Sequence, residues 1–402
     1  MRIGIGIALV AVGLLGGAAP ARAESPKERA AKLTKKLASD KKPGVRAEAA
    51  KELGDLGAWD AVPALAGALK DPAAEVRAAA AYSLVRLKEH AKDAAPALKE
   101  ALADSEYLVR YNAVVALHNM EAATPAELAA PLASLFDGAD KDDIDNIAAL
   151  LVNQGFEDPV ARKTILDTLD EAPTDVRLEI MQQMWRQDSM EGNGPGKDEV
   201  VKRLTPLVTG DRDPKVRRQA IVLLWHGKAH SGAAGEALLK ALDDPDPEVA
   251  RQAASTLNGI ERSPLPAKAV THLTQKLKSS DPAQRAAAAR TLGGFIGWRE
   301  KFTPLLTAAL LGDKEPGVRL AVVDALGEID DDTAIPSLLK ALKTDAEPRV
   351  RAAICANWSE PQVKLRFART NTLEDALAAL EAARSDPLVK GAAEGALAEL
   401  RK

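Results

Sequence analysis

The sequence has a single cysteine, Cys355, so no intrachain disulfide can form. The staples of small exported domains are missing, and a large buried core has to replace them. Aromatic residues make up only 3% of the chain. The core must be built from Ala, Leu and Val, and such small side chains suit helices whose axes approach closely. There are five histidines: His90, His118, His226, His230 and His272. None opens a His-Glu pair or an H-E-x-x-H motif. His226 and His230 are four apart, but the Gly between them and the lack of a nearby Cys argue against zinc. No G-x-S-x-G elbow, Cys–His nucleophile or acid pair is evident. The chain is therefore read as a non-enzyme with no cofactor or metal. The formal net charge of −4 provides no general attraction for phosphate backbones or anionic lipid. Past the N-terminus, no apolar run is long enough to span a bilayer.

The first 23 residues differ from the rest. Arg2 and the amino terminus form a short positive region, and Ile3 to Leu15 is uncharged and apolar. Ala21-Arg22-Ala23 has the A-x-A form of a cleavage site, followed by charge from Glu24. This order predicts a signal peptide over 1–23 and a periplasmic or secreted protein, with no stable membrane insertion after cleavage. The rival reading is an uncleaved anchor, since Ile3 to Ala21 is just long enough to span. Its five glycines weaken a permanent spanning helix.

Residues 24–402 repeat one pattern: an acidic residue, four others, Val-Arg, then an Ala-rich apolar helix. The anchors are Val45, Val76, Val109, Ile144, Val176, Val216, Val249, Gln284, Val318, Val350 and Val389, at an average spacing of about 34 residues. A fixed period of this size signals a solenoid. Four residues after each anchor the side chain is apolar, from Ala49 to Ala393. Eight residues after, it is apolar again, from Leu53 to Leu397. Offsets 0, +4 and +8 share one helical stripe, and apolar residues at +5 widen it beyond a single helix–helix seam. Between these helices lie shorter ones, such as Ala61 to Lys70 and Thr303 to Leu311. They carry Pro63, Pro96, Pro206, Pro304 and Pro336 in their expected first turns. Asp-Pro turns precede the anchor helices. Each unit reads as helix, turn, helix, and neither helix can bury its stripe alone.

Here the chain resembles the HEAT repeat family, including the phycobilisome-lyase-like HEAT repeats. The resemblance rests on Pro in the first helix, Asp in the turn and Val-Arg opening the second helix, and covers about residues 27–402. It implies an all-α, right-handed solenoid of about eleven helical hairpins. It also implies an Asp–Arg ladder between repeats, carried here by Asp40 with Arg46, Asp71 with Arg77, Asp104 with Arg110, Asp211 with Arg217, Asp313 with Arg319 and Asp345 with Arg351. The residues agree. Offset +1 lies at about 100° on the helix wheel, inside the apolar arc, so its guanidinium needs a carboxylate from the same or a neighbouring unit.

The pattern breaks in places. Repeat 4 has Asp145 in the arginine position and an acidic turn at Asp137, Asp140, Asp142 and Asp143; helix-start acids are the simple reading, a Ca²⁺ site or basic-partner contact the rival. A glycine-rich insertion, about 189–197, reads as a projecting loop. Position +9, normally Gly or a small residue as at Gly54, Gly293 and Gly327, holds His118, Trp185 and Trp225, with His226 next to the last. These four are the candidate partner-binding residues, set against plain end-of-helix packing. Lys364, Arg366 and Arg369 lie in a stretch without a clear unit pattern and read as a solvated face or a contact for an acidic partner. The expected function is a non-catalytic scaffold that binds protein partners outside the cytoplasm, with no nucleic-acid role. The alternative is a groove holding a small ligand, chromophore or nucleic acid, with lyase-type activity, because the resemblance extends to HEAT-like DNA glycosylases and phycobilin lyases.

Overall fold

A computed structural model describes residues 24–186, 197–228, 231–260, 263–360 and 363–402. Residues 1–23, where the sequence predicts a signal peptide, nearly all of the insertion and His230 lie outside the described residues. The chain forms two compact units that divide between Gly138 and Ala139, at the acidic turn where the repeat pattern breaks.

The first unit contains α1 (Pro26–Ser39), α2 (Pro43–Asp55), α3 (Val62–Ala68), α4 (Ala74–Leu87), α5 (Ala95–Ala101), α6 (Tyr107–Asn119) and α7 (Pro125–Leu135). The second contains α8 (Lys141–Gly155), α9 (Pro159–Glu171), α10 (Thr174–Arg186), α11 (Lys197–Gly210), α12 (Pro214–His226), α13 (Gly232–Ala241), α14 (Pro247–Asn258) and α15 (Leu265–Lys276). It continues with α16 (Pro282–Gly293), α17 (Arg299–Gly312), α18 (Pro316–Ile329), α19 (Ile335–Thr344), α20 (Pro348–Asn357), α21 (Val363–Thr370), α22 (Leu373–Ala383) and α23 (Lys390–Leu400). Among the described residues there is no strand. The fold is an all-α solenoid.

Each unit has two layers. In the first, α2, α4 and α6 pack side by side. In the second, α8, α10, α12, α14, α16, α18, α20 and α23 form the corresponding row. Every apolar side chain at offsets +4 and +8 is buried, from Ala49 and Leu53 to Ala393 and Leu397. The exceptions to anchor burial are Val45, half-buried, and Gln284, which is polar and exposed. These helices start where the chain dictates. Pro occupies the first turn of α12, α14 and α16, and Asp213, Asp246 and Asp281 accept the free backbone N–H groups there.

Two first-layer helices are longer than the sequence pattern suggests. α11 begins at Lys197 and α17 at Arg299, so Pro206 and Pro304 sit inside helices and not in first turns. Val200, Leu204 and Phe302 are fully buried, and that burial draws the extra turns into helix despite the lost backbone bond.

Candidate functional site

The ladder has a different direction from that of the paired residues in the sequence. Arg46 does not bond the Asp40 carboxylate. Its Nε and Nη2 donate to the two carboxylate oxygens of Asp71, both at 2.7 Å, one repeat ahead. Its Nη1 donates to the Asp40 main-chain carbonyl at 2.8 Å. Arg77 treats Asp104 and the Asp71 carbonyl alike, and Arg110 donates to the Asp104 carbonyl. In the second unit Arg217 grips Asp244, Arg319 grips Asp345 and Arg351 pairs with Asp386, while each reaches back to the carbonyl of Asp211, Asp313 or Asp345. Arg177 with Asp211 and Arg285 with Asp313 supply rungs that the sequence pairing did not include.

The turn aspartate explains this geometry. Its Oδ1 also accepts the N–H two residues on: Ala73 for Asp71, Glu106 for Asp104, Asp246 for Asp244. The short side chain folds over its own turn and faces the preceding repeat, leaving only its carbonyl to its own arginine. Such buried, forked pairs fix the register of one hairpin on the next. One further arginine makes the same backward reach. Arg162 on α9 donates to the Phe156 carbonyl and to Glu199, with no Val-Arg motif to signal it.

The guanidiniums hold the Asp71, Asp104 and Asp313 carboxyls below the ordinary 3.8, against the opposing push of burial. A carboxyl depressed in the folded state stabilises it fully above its unfolded pKa and loses that contribution as pH falls through the folded value. Burial raises Asp324 and Glu179, which work in the opposite sense. Stability is expected to be level above about pH 5 and to fall steeply below about pH 4. Urea midpoints measured between pH 3 and 7 check this, and a midpoint unchanged at pH 3 contradicts it.

The candidate binding residues separate into two places. His118 lies half-buried near the end of α6 in the first unit. Trp185, at the end of α10, and Trp225 and His226, at the end of α12, come together in the second unit. Trp185 Nε1 donates to His226 Nε2 at 2.6 Å. That bond needs a lone pair on Nε2, so the His226 proton sits on Nδ1. The His226 ring stands edge-on to both indoles, 5.6 Å from Trp185 and 4.9 Å from Trp225. Trp225 rests on Gly259, where a Cβ would come within 3.2 Å of its Nε1. The strip thus crosses α10, α12 and the end of α14. Both tryptophans remain 44% exposed.

Trp59 escaped sequence reasoning. It is 63% exposed and packs on His90 at 5.5 Å, but lies in a 3₁₀ turn between helices, outside any repeat offset. The basic stretch is structural in part. Arg366 is buried and bonds Asp330 and Asp332, and Arg369 also holds Asp332, so they fasten α21 to the turn after α18. At the acidic turn Asp140 caps α8. Asp145 accepts from Gln183 at 2.9 Å. Among the described residues no group of three or more His, Cys, Asp or Glu is placed to hold a metal. Burial pushes the Cys355 thiol up to about 12, which leaves it an inert core residue. No described helix is long and apolar enough to cross a membrane.

The family model for HEAT repeats matches residues 30–118, 201–275 and 270–357. The chain belongs to the HEAT repeat family. No curated protein matches it in sequence. Among solved structures this HEAT repeat chain is similar to the karyopherin Kap121p bound to the extreme C-terminus of the protein phosphatase Cdc14p, with a TM-score of 0.62 and 15% identity. It is similar as well to Kap121p bound to the SUMO protease Ulp1p and to Kap121p bound to Pho4p, each with a TM-score of 0.61 and 16% identity. The first match covers 92% of this chain and 46% of the karyopherin, and the other two cover 92% and 45%. The HEAT repeat chain spans less than half the length of these proteins, and at such identity the likeness is one of fold.

Proposed function

We propose that the chain is a non-catalytic scaffold, exported through residues 1–23, that docks a protein partner on the strip formed by Trp185, His226 and Trp225. The observation that carries this is two half-exposed indoles on neighbouring repeats, locked by one histidine. Tryptophan dominates binding where a partner can bury it. Locking the side chains in advance lowers the entropy lost on docking. Karyopherin structures of similar fold contain bound protein segments, in keeping with a protein partner.

Trp185→Ala with Trp225→Ala is expected to weaken capture of partners from the exported fraction by about 2 kcal/mol or more per tryptophan. Thermal stability should stay near that of the parent, because both side chains are at the surface. An unchanged set of captured proteins contradicts the docking strip. The captured chain itself should begin at Glu24, and one that retains Met1 contradicts cleavage.

A further inference from the structure

The joint between α14 and α16 has no rung. At α14 the arginine position holds Ala250, and the turn ahead of α16 holds Ser279 where the partner aspartate belongs. Removing the arginine alone would strand a buried carboxylate in the next turn, at a cost of several kcal/mol. Loss of both partners avoids that. A joint meant only to pack would then carry larger apolar side chains in their place. Ala250 leaves space open, and it lines a cleft of about 320 Å³ between the turn before α14 and helices α15 and α16.

The joint does not collapse, because it is held at its edges. Arg251 reaches across α16 to Glu328, whose Oε2 lies 2.6 Å from where a Cβ on Gly293 would be. Asp243 is bonded by His272 at 2.9 Å and by Lys276 at 3.1 Å. Asp244 is spent on Arg217. The floor of the cleft is apolar, with the buried Leu242, Ala250 and Leu273. Arg290 also lines it, and among the described residues it alone of the lining charges has no ion pair; Asp324 on α18 feels its charge without bonding it. The cleft combines an apolar floor, paired acids and one cation without an ion pair.

We propose that this cleft binds a small amphipathic carboxylate, with its apolar body on Leu242 and Leu273 and its anionic head on Arg290. The volume suits a body of roughly eight carbons. The site is independent of the tryptophan strip and does not rest on the scaffold reading.

Calorimetric titration of the full chain with octanoate tests the site, with octylammonium as the charge-reversed control. Octanoate is expected to saturate with a Kd below about 1 mM. Octylammonium should bind at least about tenfold more weakly, as should octanoate to Arg290→Gln. Ala250→Arg puts a long side chain into the cleft and, with Ser279→Asp to pair it, should abolish binding. Ala287→Leu, at an exposed helix position, fills the cleft independently and should do the same if the double variant fails to fold. Trp185→Ala with Trp225→Ala should bind octanoate normally, which separates this site from the docking strip. No saturation by 10 mM octanoate (about tenfold above the expected ceiling), equal binding of octylammonium, or undiminished binding by Ala287→Leu overturns the proposal.

Discussion

Leu224→Ala is expected to lower the unfolding free energy by about 2–5 kcal/mol. Leu224 sits at offset +8 on α12 and is fully buried. Its helix packs on α10, α11 and α14 at once. Truncation removes the transfer free energy of three carbons and leaves a cavity that three rigid neighbours cannot close. Leu311→Ala is the control. That side chain on α17 is 42% exposed, and its loss should cost within about 0.5 kcal/mol. Urea unfolding of both variants checks the pair. A Leu224→Ala midpoint that matches the parent would mean that the repeat register is wrong.

Arg217→Ala is expected to cost about 3–5 kcal/mol at pH 7. The Arg217 and Asp244 side chains are only 9% and 5% exposed. Without the guanidinium, the Asp244 carboxylate is left in a poorly solvated joint with only the Asp246 N–H to satisfy it. The Asp211 carbonyl loses a donor at the same time. The pair as a whole is worth much less than either half suggests, because both ions are desolvated on folding. Arg217→Met with Asp244→Leu should therefore recover most of the loss. If the single variant unfolds within 1 kcal/mol of the parent, the rung is not a buried pair.

The helices and their buried faces were legible because a 3.6-residue periodicity repeated eleven times leaves no competing register. Leu117 and Leu224 could be placed in the core from spacing alone, and both are there. The direction of the ladder was not legible. Asp211 is the turn aspartate of Arg217's own repeat, yet its carboxylate accepts the Asp213 N–H and faces Arg177. Sequence distance favours the near partner, whereas the turn geometry presents the far one. The same holds for Arg366: Asp330 and Asp332 stand thirty-odd residues away, and nothing in the spacing says that the two segments meet.

The candidate strip was half legible. Trp185 and Trp225 stood out because they break a small-residue position, and neighbouring repeats had to bring them close. The indole–imidazole bond and the seat on Gly259 depend on side-chain rotation, which periodicity does not encode. Trp59 shows the opposite limit, since a residue outside the repeated offsets carries no positional signal at all.

The stacking of each hairpin on the next through a forward-reaching arginine is tested most directly by paired double-mutant cycles in urea. One cycle couples Arg319 to Asp345, the carboxylate it grips at 2.7 Å. The other couples Arg319 to Asp313, which offers it only a carbonyl. Alanine substitutions should give an interaction energy of about 1–3 kcal/mol for Arg319 with Asp345 and near-additive effects for Arg319 with Asp313. Strong coupling to Asp313 together with additivity for Asp345 would place the rung inside one repeat and contradict the account.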